Sequence, residues 1–247
     1  MKFYIGTHMV NHAKYLERSF ISVNRLKGRR SDFAANDWIM DSGAFTELLL
    51  YGKYRYSVDD YIYCINRWSN CGNLECAISQ DYMCEPFILS KTGLSIVEHQ
   101  QLTIERFDQI IKLTSIPIMP VLQGFEPKDY INHLFMYGER IKAGIRVGVG
   151  SICKRNGNPT EIIRVLESIK QERPDLKLHG FGLKKTSLQN TYITSLLYSA
   201  DSMAWSYAAR KQGRNANGLE EALRFYNKII EGLGKKPTQL RFIEKVV

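Results

Sequence analysis

Residues 38–45 read WIMDSGAF: Trp38, Ile39 and Met40 are apolar, Asp41 is a carboxylate, and Ser42, Gly43 and Ala44 are small. A strand buried on both faces of a parallel sheet reads as such a continuous apolar run, and a barrel keeps its polar chemistry where those runs end. The pattern recurs along the chain. Cys76-Ala77-Ile78-Ser79-Gln80 stops at Asp81, and Ile118-Met119-Pro120-Val121-Leu122 stops at Gln123-Gly124. Ile145-Arg146-Val147 runs into Gly148-Val149-Gly150-Ser151. Leu176-Lys177-Leu178-His179 gives Gly180-Phe181-Gly182, and Ala200 leads into Asp201-Ser202. Phe3-Tyr4-Ile5-Gly6 and Phe20-Ile21-Ser22-Val23-Asn24 bring the short runs to eight.

Helical patterns separate most of them. The spacing predicts a short helix over 9–18, helices over 57–69 and 95–114, and one from Pro127 to about Ile141. Further helices open at Asn158-Pro159 and cover 187–198 and 218–231. The 95–114 stretch places Ile96, Leu102, Phe107, Ile110, Ile111 and Leu113 on one broad face. Eight βα units in 247 residues predict a TIM (β/α)8 barrel, α/β in class, as a single domain over 1–247. An open doubly wound sheet is the rival. No G-x-G-x-x-G follows the first strand, however, and no P-loop occurs.

Composition agrees: 44% hydrophobic and 24% charged residues suit a globular protein with a sizeable core. No apolar run approaches the roughly 20 residues of a membrane span. The N-terminus lacks a signal peptide's long apolar region, so a cytoplasmic protein is expected. Cys64, Cys71, Cys76 and Cys84 lack the short C-x2-C spacing of structural zinc sites, and with Cys153 they read as reduced thiols. No metal or other cofactor is expected.

The net charge is +9, from 34 basic and 25 acidic residues. That balance leans weakly toward a polyanionic partner. Position is more informative: Arg25, Lys27, Arg29 and Arg30, then Lys184 and Lys185, then Arg210 and Arg214, fall in loops or at element ends. They are the candidates for phosphate contacts.

Asp41, Asp81 and Asp201 at one barrel mouth suggest carboxylate catalysis, with one group ionised as nucleophile and another holding a proton. Retaining glycosidases divide the work in that way at a sugar's anomeric carbon. Gln123 offers a donor and an acceptor to a planar heterocycle. Glycines at 43, 148, 150 and 182 would let a flat ligand approach the backbone, and Phe45 and Phe181 could stack on it. The residues alone therefore predict a barrel enzyme acting at a glycosidic-type centre on a flat polar ligand.

Five segments carry a resemblance. Asp41-Ser42-Gly43-Ala44-Phe45 is similar to the D-S-G-G-F signature of the tRNA-guanine transglycosylases, and Val121-Leu122-Gln123-Gly124 to their V-Q-G segment. Gly148-Val149-Gly150-Ser151 resembles the family's base-recognition turn, and His179-Gly180-Phe181-Gly182 its H-L-x-G-x-G strand end. Asp201-Ser202 before Ala204-Trp205-Ser206 resembles its late F-D-S segment. The forms look closest to the DNA-modifying, DpdA-like deazapurine transglycosylases. The resemblance implies a TIM barrel that exchanges guanine in DNA for a 7-deazaguanine such as preQ0 or a derivative, related to queuosine and archaeosine chemistry. Asp201 would be the nucleophile at C1′ and Asp41 the general acid/base. Asp81 would bind the N1/N2 edge of the purine, Gln123 with the backbone of Gly148, Val149 and Gly150 its O6 side, and Phe45 and Phe181 its faces. Ser42, Gly43, Gly124 and Gly182 would complete the base pocket.

The departures bear on the substrate. The tRNA enzymes carry a C-terminal C-x-C-x2-C zinc motif with a distant histidine, whereas residues 202–247 contain neither cysteine nor histidine. DNA is therefore the expected partner, as a flipped-out or single-stranded guanine. Ala44 replaces a glycine, and Ala204 stands where the tRNA enzymes often have a second aspartate. A tRNA substrate, a non-catalytic nucleic-acid-binding barrel and a nucleoside hydrolase are the alternatives. The sequence leaves a homo-oligomer open.

Overall fold

The computed structural model describes residues 1–155 and 157–234. At its centre lie the parallel strands β1 (Lys2–Gly6), β2 (Arg18–Ser22), β3 (Asp37–Asp41), β4 (Asn73–Ile78), β5 (Ile118–Met119), β6 (Val121–Leu122), β7 (Arg146–Val149), β8 (Lys177–Gly180) and β9 (Ser199–Ser202). Their order is β5-β4-β3-β2-β1-β9-β8-β7-β6. β5 and β6 are one run interrupted at Pro120, whose nitrogen has no hydrogen to donate. On one side of that run the amides of Ala77 and Ser79 donate to the carbonyls of Pro117 and Met119. On the other, those of Gly148 and Gly150 donate to Pro120 and Leu122. The run thus bridges β4 to β7 and closes the ring. The fold is the eight-run α/β barrel the sequence predicts, not the open sheet.

Side chains alternate across a strand, so every second residue enters the barrel. Tyr4, Phe20, Ile39, Cys76, Ile78, Met119 and Val121 form one buried interior cluster, with Phe181 packed against it. Two larger clusters lie between the sheet and the helices, one built on β1 and β6–β9, the other on β2–β4. The barrel floor is polar. Glu75 accepts from the Tyr4 hydroxyl (2.7 Å), Arg146 Nη2 (2.8 Å) and Lys2 Nζ (3.3 Å), and those donors hold its carboxyl below the ordinary range despite its burial. The opposite end carries Ser22, Asp41 and Gln123, each two residues beyond a member of the interior cluster, together with Gly150 and Asp201.

The helices are α1 (Ala44–Tyr51), α2 (Val58–Trp68), α3 (Pro86–Thr92), α4 (Ile96–Ile110), α5 (Pro127–Tyr137), α6 (Pro159–Glu172), α7 (Lys185–Leu188), α8 (Thr191–Leu196), α9 (Ala204–Lys211) and α10 (Leu219–Gly232). Capping boxes start α2 at Ser57 and α4 at Ser95. Several expectations need correction. The predicted helix over 9–18 is a 3-10 segment, Val10–Tyr15, because β2 already begins at Arg18. The second strand ends at Ser22, and Val23–Arg25 turn as a 3-10 segment. The helix expected over 187–198 is broken at Asn190, whose side chain caps α8 by accepting from Tyr192 N (3.0 Å) and Ile193 N (3.1 Å). α4 stops at Ile110, and Ile111 and Leu113 face outward. Its buried face is instead His99, Gln100, Thr103, Ile104, Phe107 and Ile110. The unpredicted α1, α3 and α9 are too short for a clear period. No helix among the described residues is long and apolar enough to cross a membrane.

Candidate active site

At the C-terminal ends of the strands a cavity of about 620 Å³ is lined by Asp41, Asp81, Gln123, Gly150, Phe181 and Asp201 among others. That is the size of a pocket for one small organic ligand. Strand register puts these groups on one level. Tyr4 and Ser22, both facing inward, pair with Asp201 and Asp41 respectively, so the two carboxylates enter the mouth from opposite flanks of β1 and β2.

Asp201 is held from one side. Its Oδ1 accepts from the Gly182 amide (3.0 Å) and lies 3.3 Å from His179 Nε2. His179 is fully buried, stacked on Phe20 (5.7 Å between ring centres) and edge-on to Phe181 (4.9 Å). Burial lowers its pKa even against the pull of Asp201, so the ring is neutral. With Nε2–H donating to Asp201, Nδ1 accepts from the Ser199 hydroxyl at 2.9 Å. Among the described residues no donor falls on Asp201 Oδ2, which leaves that oxygen the unencumbered one.

Asp41 accepts from the Gly43 amide at 3.1 Å and from the Ser22 hydroxyl. Burial first, and then the negative charge of Asp201, push its carboxyl up to about 6. The Asp41 carboxyl therefore shares one site with a second carboxylate whose charge it feels.

Asp81 belongs to a buried polar chain. Ser42 Oγ donates to Asp81 Oδ1 (3.2 Å) and Gln123 Nε2 to Oδ2. Ser151 Oγ donates to Gln123 Oε1 (2.9 Å) and accepts from the Cys84 amide (3.3 Å). The Gln123 backbone is fixed as well, its amide donating to His133 Nδ1 (2.9 Å) and its carbonyl accepting from Gln100 Nε2 (2.7 Å). Burial, with the Asp41 charge second, raises Asp81 to about 7 despite the donors on it. Near neutrality this edge can therefore present either an acceptor-only carboxylate or a carboxylic acid with a proton to give.

Of the predicted base-binding residues, Phe45, Asp81, Gln123, Gly150, Phe181 and Gly182 line the cavity, while Ser42, Gly43, Gly124, Gly148 and Val149 do not. Ser42 acts one step back, on Asp81. Gly43, at φ 76°, turns the chain into α1. The glycine turn needs a correction. The amides of Gly148 and Gly150 are spent in the sheet ladder, and Val149 points into the outer core. A Cβ on Gly148 would lie 2.4 Å from the Phe181 ring, and one on Gly150 would lie 2.2 Å from Gln123 Nε2. These glycines make room for protein side chains rather than for a ligand on the backbone. Gly124 does likewise for α5, its Cβ position lying 2.7 Å from Asp129 Cβ.

The basic candidates divide. Arg25 lines the cavity and Arg210 stands near it, close enough for its charge to act on His8. Lys27 donates to Asn24 Oδ1 (3.1 Å) and sits over the Tyr56 ring (3.1 Å). Arg30, Lys184 and Lys185 are exposed. Two are corrections: Arg29 is spent on Ser31 O (2.7 Å) and Asn11 Oδ1 (2.9 Å), and Arg214 pairs with Glu221 (3.0 Å).

Sequence reasoning passed over His179 and Ser151 as site residues. The period of two was the available signal for His179, since it lies two residues before Phe181. Ser151, at φ 59°, follows a glycine run that drew attention to its backbone instead. Cys64, Cys71, Cys76 and Cys84 are buried, and all five cysteines are free thiols. Among the described residues no group of three His, Cys, Asp or Glu could hold a metal.

A family model described as DpdA, DeoxyPurine in DNA protein A, matches residues 1–231. No curated protein matches the chain.

Proposed function

The chain belongs to the DpdA family, DeoxyPurine in DNA protein A, and from that premise we propose that it exchanges guanine in DNA for a 7-deazaguanine base. The observation that carries this reading is the pairing of Asp41 with Asp201 over one cavity, beside the Asp81–Gln123 edge.

Asp201 is the nucleophile. Its Oδ1 is anchored by Gly182 and His179, so Oδ2 attacks C1′ of the target deoxynucleotide. The C1′–N9 bond breaks and its electron pair leaves with the purine, which takes the proton of the Asp41 carboxyl. The sugar remains joined to Asp201 as a glycosyl ester. The incoming deazaguanine then gives its N9 proton to the Asp41 carboxylate and displaces Asp201 from C1′. Two inversions retain configuration, and both carboxyls return to their starting states. A carboxyl with its pKa near 6 suits a proton carried in both directions near neutrality.

Asp81 accepts from the N1–H and N2–H edge of the base, and Gln123 turns toward O6, with Ser151 and Ser42 setting their orientation. Phe181 covers one face and Phe45, exposed on the first turn of α1, the other. In a duplex the target base must leave its stack, and the basic rim at Arg25, Lys27, Arg30, Lys184, Lys185 and Arg210 holds the strand while it does.

The test incubates the protein with DNA carrying labelled guanine, with and without a 7-deazaguanine. Release beyond one equivalent per protein that requires the added base, and disappears in Asp201→Asn while DNA binding persists, supports exchange. Multiple-turnover release without added base identifies a hydrolase, and competition by tRNA but not DNA moves the substrate to RNA.

A further inference from the structure

His8, just beyond β1, lines the same cavity as Asp201 and is half-buried. Arg25 Nη2 lies 3.0 Å from His8 Nδ1. An arginine only donates, so Nδ1 is the acceptor and the ring proton sits on Nε2. Among the described residues that Nε2–H has no partner. Arg210, on the last turn of α9, stands near enough for its charge to act on His8, and burial first, then the charges of Arg25 and Arg210, favours the neutral ring.

Neither Arg25 nor Arg210 has an acidic partner among the described residues. Elsewhere arginines are neutralised: Arg55 by Glu47, Arg140 by Asp108, Arg146 by Glu75 and Arg173 by Asp175. Two like charges near one donor repel one another, and an anion drawn to the unpartnered His8 N–H beside Arg25 lessens that repulsion. Planar guanidinium forks fit phosphate oxygens. We propose that His8, Arg25 and Arg210 form a clamp for one phosphate of the guanine nucleotide whose base enters the cavity. The inference rests on the base-exchange reading and gives it a fixed point: one charged group positioned beside C1′, distinct from diffuse contacts along the rim. The phosphate could come from a DNA strand or from a free nucleotide, and the experiment separates them.

The probe is an oligothymidine with a single central guanine, its two flanking phosphates replaced one at a time by neutral methylphosphonate. In the wild type, one of the two replacements should weaken binding about tenfold, and Arg25→Ala or Arg210→Ala should weaken the unmodified probe by a similar factor. The same replacement should then cost little more in either variant. Each arginine variant should also flatten the salt dependence by about 0.7 in slope for a single strand. His8→Phe, which retains bulk, should reproduce part of the loss. A second arm compares dGMP with deoxyguanosine. An Arg25-dependent preference for dGMP, with a probe indifferent to its flanking charges, would assign the clamp to a free nucleotide. The proposal is overturned if neither flanking phosphate matters and dGMP gains nothing over deoxyguanosine, or if the methylphosphonate penalty is undiminished in both arginine variants. If the penalty survives when the guanine is replaced by thymine, the contact belongs to the strand at large and the clamp on the guanine nucleotide falls, while the base-exchange reading stands or falls separately on guanine release.

Discussion

Replacing Asp81 by asparagine preserves the outline of the side chain and removes one ionisation. Asparagine can still accept from Gln123 Nε2 and can donate to Ser42 Oγ, so the polar chain Ser42–Asp81–Gln123–Ser151 stays connected. What changes is the response to pH. Asp81 is raised from 3.8 to about 7, chiefly by burial and then by the charge of Asp41. Between those values the folded protein holds a proton that the unfolded chain has lost. Raising the pH therefore favours unfolding, and the stability is fully present below about 4 and gone above about 7. At roughly 1.4 kcal/mol per pKa unit the whole swing is about 4 kcal/mol, of which about 3 falls between pH 5 and 8. Urea unfolding at those two pH values gives the test. The wild type should lose about 3 kcal/mol more than Asp81→Asn on going from pH 5 to pH 8. Asp41→Asn should reduce the wild-type loss without abolishing it, because burial is the larger cause. Parallel pH dependence in wild type and Asp81→Asn would refute the picture of a carboxyl held protonated at the barrel mouth.

Gly150→Ala should displace the Gln123 amide, since the new methyl would sit 2.2 Å from Nε2. Losing its bonds to Asp81 and Ser151 should raise the KM for the deazaguanine roughly tenfold to a hundredfold, at about 1–1.5 kcal/mol per bond, with DNA affinity unchanged. An unaltered KM would show that Gln123 does not meet the base. His179→Phe leaves Asp201 Oδ1 with the Gly182 amide alone, and kcat should fall about tenfold to a hundredfold at constant KM for DNA. His179→Gln, which keeps a donor, should recover part of that loss, and equal losses in both variants would assign His179 to packing only. With the Asp41 carboxyl at about 6, its protonated fraction falls about tenfold per unit at higher pH. Single-turnover guanine release from pH 5 to 8 should decline in parallel, and a flat profile would remove Asp41 from that step.

Much of this architecture could be read from the chain because barrel strands obey a period of two. Phe20 and Ser22, Ile39 and Asp41, and Val121 and Gln123 are each a filler followed by a functional residue, and all three pairs face inward; Ser199 and Asp201 repeat the spacing, both bonded to His179. Residues that reach the site through a turn were harder to place. Asp81 could be named as the carboxylate that ends its run, but it lies three residues beyond the end of β4, and the hydrogen bonds to Ser42 and Gln123 that hold it are seen only in the structure. The glycines at 148 and 150 were misread because a missing side chain does not reveal what fills its space, here Phe181 and Gln123. Polar residues on the inner face of α4 confused the helical period in the same way. His99 and Gln100 are buried because they bond to the Met83 and Gln123 carbonyls, which no hydrophobic pattern can anticipate. Among the basic residues, sequence could not separate Arg25, which opens onto the cavity, from Arg29 and Arg214, which are spent on their neighbours.

A sugar left on a carboxylate is a species with a definite mass and a definite address. Mixing the protein with guanine-containing DNA in the absence of any incoming base, then denaturing, digesting and sequencing the peptides by mass spectrometry, reads both. An adduct on the peptide holding residue 201, missing from Asp201→Asn and discharged by added deazaguanine, is the predicted outcome. An adduct on Asp41 instead, or base exchange that continues in Asp201→Asn, would contradict it.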